Sequence, residues 1–290
     1  MEDIEDYYKG YDEWNRLERH KIEFEITKRY LNTYVTEGAR VFDIGGGPGR
    51  YSIYLAKRGH KVVLLDLVQK HIDIAKIKAS ENNVKIEKYI CDDALNISEY
   101  NLGKFDVVLI MGPLYHLIHE VDRKKVVEDA LKFLKKEGIL IASFISAYAP
   151  IIDEFKCSEN IETADEVMKY LKDGINDAEA GFTSAYFIKP EEAKNFMESF
   201  NLKELSFAGI EGIGGLIENK LKELPSEQFD RVINILYELS NDPHIFGSSE
   251  HYLYVGKKVD NNANGEIFNV GEEASKKIDY EKDDDILKEL

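Results

Sequence analysis

Between Ala39 and Phe144 the chain alternates short apolar or β-branched runs with stretches of helical spacing. The runs are ARVFDI, HKVVLLD, VKIEKYI, FDVVLIM and GILIASF; residues 49–58, 68–81 and 121–136 carry the helical spacing between them. A strand wetted on one face alternates apolar with polar residues, whereas most of these are apolar on both faces and must be covered on both. That constrains the chain to an α/β fold: a mainly parallel sheet with helices on both faces. Two later runs, LKELSFAGI and HYLYVGKKV, flank a helical stretch over 213–240 and bring the sheet to seven strands. The rhythm breaks over 146–188, where the helix-like IETADEVMKYLKDG lies between polar loops, so a small helical cap is expected there. A fresh helix starts at Lys189-Pro190-Glu191-Glu192, with proline at N1 and acids in the first turn.

Upstream, Trp14, Leu17, Phe24 and Leu31 recur near helical spacing over residues 13–34. The expected organisation is an N-terminal helical segment over 1–35, an α/β domain over 36–258 with its cap at about 146–188, and an acidic tail over 259–290 that is polar enough to be mobile. The chain has 290 residues and a net charge of −17, with ten acids against four lysines in the tail and an acidic remainder. Phosphate binding needs dense Lys and Arg, so nucleic acid and anionic membranes are disfavoured as partners. No run approaches the roughly 18 apolar residues of a membrane span. The start, MEDIEDYYKGYDEW, is acidic and aromatic rather than basic and then apolar, so a cytoplasmic location is expected. Cys91 and Cys157 form no C-x-x-C pair and are expected to be reduced and structural.

VFDIGGGPGR, residues 41–50, joins the first strand to the next helix. A glycine-rich turn there lets backbone approach a ligand and presents free amides at a helix N-terminus. The dinucleotide fingerprint G-x-G-x-x-G closes in neither register, because Arg50 or Ser52 stands where its third glycine belongs. A carboxylate at the strand end, Asp43, would repel a pyrophosphate and suits a cationic ligand. Pro48 removes one amide that a phosphate would use. Asp66 ends the second strand, about 20 residues beyond the glycines, where an acid accepts hydrogen bonds from ribose hydroxyls.

Asp43, Gly45, Gly47 and Gly49 spell D-x-G-x-G-x-G, which resembles the first motif of the class I S-adenosylmethionine-dependent methyltransferases of the bacterial small-molecule type. The likeness covers Tyr30 to about Phe144, with a weaker echo in EHYLYVGKK. It implies that family's Rossmann-like fold, S-adenosyl-L-methionine as cofactor, S-adenosyl-L-homocysteine as product and a small-molecule acceptor. It also implies a cofactor site at Asp43, Gly45, Gly46, Gly47, Gly49, Asp66 and Leu67. In YICDDALNI the acid and small residue that meet adenine match Asp93 and Ala94 best, with Asp92 as the alternative. Met111 and Gly112, leaving the fourth strand, would flank the cofactor from the other side.

Methyl transfer from a sulfonium is an in-line displacement that needs alignment and exclusion of water, and a base only if the acceptor must lose a proton. Gly112-Pro113-Leu114-Tyr115 stands where enzymes acting on nucleobase amines carry Asp or Asn before Pro-Pro-Tyr, so an amino-nucleobase acceptor is disfavoured. Tyr115 and His116 are the candidate catalytic residues, since histidine titrates near neutrality and tyrosine can orient an acceptor; otherwise both pack beneath the following helix. His116, His119 and Asp122 lack a matching ligand run, so no metal is expected. By the resemblance, the N-terminal segment forms a lid and the cap helps to build the acceptor pocket. Tyr11, Trp14 and Arg16 from the one, Tyr148 from the other, and Glu211 after the sixth strand are its candidate residues. A methyltransferase acting on RNA or protein, a nicotinamide oxidoreductase and a non-catalytic cofactor-binding protein remain as alternatives; the oxidoreductase would lack its usual Tyr-x-x-x-Lys pair.

Overall fold

The structure is a computed structural model that describes residues 2–157, 168–178 and 182–259. The start of the expected cap helix, residues 161–167, and the tail from Asp260 lie outside the described residues. Three helices come first: α1 (Glu2–Gly10), α2 (Arg16–Arg19) and α3 (Lys21–Tyr34). The sheet follows as β1 (Arg40–Ile44), β2 (Lys61–Asp66), β3 (Lys88–Cys91), β4 (Phe105–Ile110) and β5 (Leu134–Ser146). Between these strands lie α4 (Arg50–Lys57), α5 (Gln69–Glu81), α6 (Pro113–His116) and α7 (Glu120–Phe133).

Strands β1 to β5 are parallel in the order β3-β2-β1-β4-β5. Alternate residues go to opposite cores: Phe42, Ile44, Val63 and Leu65 to one, Val41, Val62 and Leu64 to the other. This two-sided burial is why the strands lack a polar face. After β1 the chain moves outward through β2 and β3, and β4 returns to β1's other edge, so the strand order reverses between β1 and β4. Register pairs Ile44 with both Leu65 and Ile110, bringing Gly45, Asp66 and Met111 to one sheet edge. A crevice at that edge is where ligands bind open α/β sheets.

The sheet continues through β9 (His251–Lys258), antiparallel to β5, and β8 (Leu202–Gly209), antiparallel to β9. The cap holds α8 (Ala149–Cys157) and also a short hairpin, β6 (Ile175–Asn176) with β7 (Ala185–Ile188), where the sequence suggested helix alone. Strand β7 pairs with the last residues of β5, Ile145 and Ser146, so the cap stands over the carboxyl ends of the strands. The helix expected over 13–34 is broken at His20. The Ile22 N–H in the first turn of α3 donates at 2.8 Å to Glu218, 196 positions away, and this long-range partner satisfies a helix-end donor. Cys91 is exposed rather than buried in the core.

Candidate active site

The glycine loop is fixed by its neighbours on three sides. Gly45 and Gly46 donate their N–H groups to Leu65 O, and Gly45 and Gly47 have φ of +72° and +57°. A Cβ on Gly45 would collide with the Pro113 ring, and one on Gly46 with the Asp43 carboxylate and Leu64. A Cβ on Gly112 would stand 2.7 Å from Gly45 O, so the loops leaving β1 and β4 are in backbone contact. Only glycine allows that approach.

Between these loops and α1 lies a cavity lined by Asp43, Gly45, Gly46, Gly47, Asp66 and Leu67. Across from them stand Met111, Gly112, Tyr115 and His116, with Asp93, Ala94 and Arg16 completing the wall. Four candidates expected at the cofactor or lid are not in this lining. Gly49 is in the left-handed region at φ +85°, caps α4 and packs against Ala75 of α5, so its role is helix packing. Asp92 turns into its own loop, accepting from Tyr100, Asn96 and the Asp93 N–H. Trp14 lies beneath the Arg50 guanidinium and the Lys78 ammonium, and Tyr11 lines a second cavity instead.

Asp43 is 1% exposed and accepts from the Ser52 hydroxyl at 2.6 Å. Burial raises its carboxyl to about 6 despite that hydrogen bond. Asp66 accepts from Gly47 N (2.8 Å), Val68 N (2.9 Å) and His71 Nδ1 (2.9 Å). A carboxylate accepts only, so His71 Nδ1 carries the proton and the buried Nε2 is left without a partner in the cavity wall. Sequence reasoning missed His71; its signal was a histidine five positions after Asp66, in the first turn of the next helix.

Helix α1 closes the cavity with Ile4 and Tyr8, four residues apart on one helical face. Three contacts hold it there. Lys70 caps its C-terminal carbonyls, with 2.8 Å to Lys9 O. Asp3 accepts from Thr183 and Ser184 of the cap at 3.2 Å each. His116 Nδ1 lies 3.1 Å from Ser184 O, a carbonyl that can only accept, so Nε2 is free to accept from the Tyr8 hydroxyl at 3.0 Å. His116 is therefore engaged as a latch between lid and cap, and Tyr115 is half-buried beside it.

Burial lowers the His116 ring to about 4 against the ordinary value near 6.5. With the folded value depressed, the open state takes up protons first as pH falls. The latch is complete above about pH 6.5 and is lost toward pH 4. Amide protection of residues 2–10, referenced to the β1–β5 core at each pH, is expected to fall across that window; a constant ratio would contradict the latch.

A second cavity adjoins the first and shares Tyr8, Glu13, Arg16 and Tyr115 with it. Its aromatic walls include Tyr170, Phe182 and Phe187, and its floor includes Glu250 and His251. Under that floor Arg16 grips Glu23 through both terminal nitrogens at 2.6 and 2.8 Å and Glu13 through Nε at 2.8 Å. Glu211, 1% exposed, accepts from the Glu250 and His251 amides and lies 2.6 Å from His251 Nδ1. Burial alone would raise Glu23, but Arg16 and His251 hold it down to about 2. Burial opposes charge on His251, yet Glu23 and Glu211 outweigh it and bring the ring up to about 9. Glu23, Glu211 and His251 place ligand atoms within 4.8 Å of one another, but these groups already neutralise each other. Tyr148 packs on Gly247 and is outside both linings.

The methyltransferase-domain family model matches residues 41–138. A ubiquinone biosynthesis O-methyltransferase from Bartonella tribocorum is 28% identical over 194 residues, covering 66% of this chain and 71% of that protein. Among solved structures, an S-adenosylmethionine-dependent methyltransferase from Clostridium acetobutylicum aligns with a TM-score of 0.55 at 16% identity, over 84% of this chain and 96% of that one. The 1,6-didemethyltoxoflavin-N1-methyltransferase of Burkholderia thailandensis, with its S-adenosylhomocysteine, aligns at 0.52 and 17% identity, over 88% and 84%. Among the described residues no helix is long and apolar enough to cross a membrane.

Proposed function

Given that this chain is a class I S-adenosylmethionine-dependent methyltransferase, we propose that the glycine-loop cavity holds the cofactor and the second cavity holds a small-molecule acceptor, methylated on oxygen. The observation that carries this reading is the shared wall: Tyr8, Glu13, Arg16 and Tyr115 line both cavities, so ligands in the two would meet there. Oxygen is favoured by the relatives named as O-methyltransferases. When bound, S-adenosylmethionine supplies an electrophilic methyl group on a sulfonium. The chain's own task is to hold, align and dry the reactants.

The donor set fits such a cofactor. Asp43 and Asp66 supply negative charge and the glycine loop supplies close backbone approach. A carboxylate offers about four lone-pair sites, and three hydrogen bonds already reach Asp66. It can thus take one ribose hydroxyl as it stands, and the unpartnered Nε2 of His71, a residue of the same cavity wall, would take the other. Asp93 and Ala94 would meet the adenine, and Met111 and Gly112 would close the opposite side. Helix α1 excludes water, with the Tyr8–His116 latch keeping it shut.

Thermal shift tests the assignment. S-adenosylmethionine or S-adenosylhomocysteine at about 100 times its Kd is expected to stabilise the protein by roughly 2.7 kcal/mol, with NAD giving no shift. Stabilisation by NAD alone would overturn the reading.

A further inference from the structure

We propose that His251, held by Glu211, is a catalytic residue that receives the acceptor's reacting oxygen as an oxyanion, on a planar phenol- or enol-type molecule. The inference rests on the methyltransferase reading above and adds the acceptor's chemical class.

His251 begins β9 at the floor of the second cavity. Its Nδ1 side is committed to Glu211 at 2.6 Å, with Glu23 at 3.9 Å, while its Nε2 makes no hydrogen bond among the described residues. The Glu211 carboxylate is anchored by two backbone N–H groups, so it fixes the ring as well as its charge. The site lies near the junction of the cavities: Glu23 Oε2 is 2.6 Å from Arg16, which lines both, and 3.9 Å from His251.

The neighbouring carboxylates have partners, and Asp153 and Lys169 also line this cavity. Glu13 and Glu23 are held by Arg16, Glu250 by Lys156, and Glu218 by the Ile22 amide. His20, 4.0 Å from Glu218, is kept largely uncharged because burial lowers it to about 4. His251, raised to about 9, is a cationic donor at the cavity floor at neutral pH, its charge balanced by Glu211; Arg16 and Lys169 are the other cations in the lining. Phe182 and Phe187 stack at 6.5 Å, and Tyr170 meets Phe187 edge-on at 5.1 Å, which suits a flat ring more than a flexible chain.

An acceptor bound as its anion loses no proton during transfer. The oxygen lone pair forms the bond to the methyl carbon, the carbon–sulfur pair returns to sulfur, and the two charges cancel. Imidazolium and anion attract strongly in a site shielded from water, so the acceptor's ionisation should shift toward lower pH on binding.

4-Nitrophenol tests this directly, because its anion absorbs in the visible and its neutral form does not. With S-adenosylhomocysteine bound, titration into the protein below the free probe's pKa is expected to give a saturable nitrophenolate band. The probe's ionisation should move down by about one pH unit, a tenfold change. His251→Gln should abolish the shift, and Glu211→Gln, which keeps the imidazole, should reduce it, with circular dichroism confirming the fold of each. Absence of a saturable band in the wild type, or a shift that survives in His251→Gln, overturns the proposal. Failure of S-adenosylhomocysteine to raise Tm would instead remove the methyltransferase reading and this proposal with it.

Discussion

Replacing Arg16 by methionine is expected to lower the stability of the protein by roughly 3–5 kcal/mol, the range seen when one member of a buried ion pair is removed. Arg16 reaches two carboxylates, and Glu23 would be left buried with its two strongest hydrogen bonds gone. Lysine should recover only part of the loss, since a point charge cannot reproduce the fork at 2.6 and 2.8 Å. Arg16→Met combined with Glu23→Leu should be markedly more stable than Arg16→Met alone, because the more deeply buried carboxylate is then no longer stranded, while Glu13 keeps some access to water. Denaturant midpoints of the four proteins provide the check. A double variant no more stable than the single one would show that Arg16 acts through packing rather than charge.

Asp66→Ala is expected to weaken S-adenosylhomocysteine binding by roughly 1–3 kcal/mol, about 5- to 150-fold, measured by calorimetry. The change removes the acceptor for Gly47 N, Val68 N and His71 Nδ1 together, so the glycine loop loses its tie to β2 and His71 its orientation. Asp66→Asn should be milder, since one oxygen remains to accept from Val68 and His71 while its amide group faces the Gly47 N–H. Unchanged affinity in Asp66→Ala would move the ribose site to another acid.

The glycine-loop cavity was largely legible in the sequence because it is built locally. Asp43, Gly45 to Gly47, Asp66 and Met111 all follow directly from strand ends, and strands buried on both faces announce themselves by composition. Gly49 shows the limit of motif reading: it completes the glycine pattern, yet packs α4 on α5. His116 shows another. A histidine beside the site invites an acid–base role, but its two nitrogens are taken by Ser184 and Tyr8, residues 68 and 108 positions away.

The second cavity was only partly legible: Arg16 and Glu211 were among the candidates, whereas Glu23 and His251 were not. Arg16 and Glu23 lie seven residues apart near the start of the chain, Glu211 and His251 stand 40 residues apart near its end, and no spacing in the sequence links the one pair to the other. Burying these charges is tolerable only when each meets its opposite in a fixed geometry. The sequence by itself determined the parallel sheet, the crevice at its carboxyl edge and the kind of loop that crosses it, because two-sided burial and positive φ leave marks on neighbouring residues. Only the tertiary structure decided which histidine lines the second cavity beside two carboxylates, because Glu211 and Glu23 tune His251 through space, and folding alone brings them within reach.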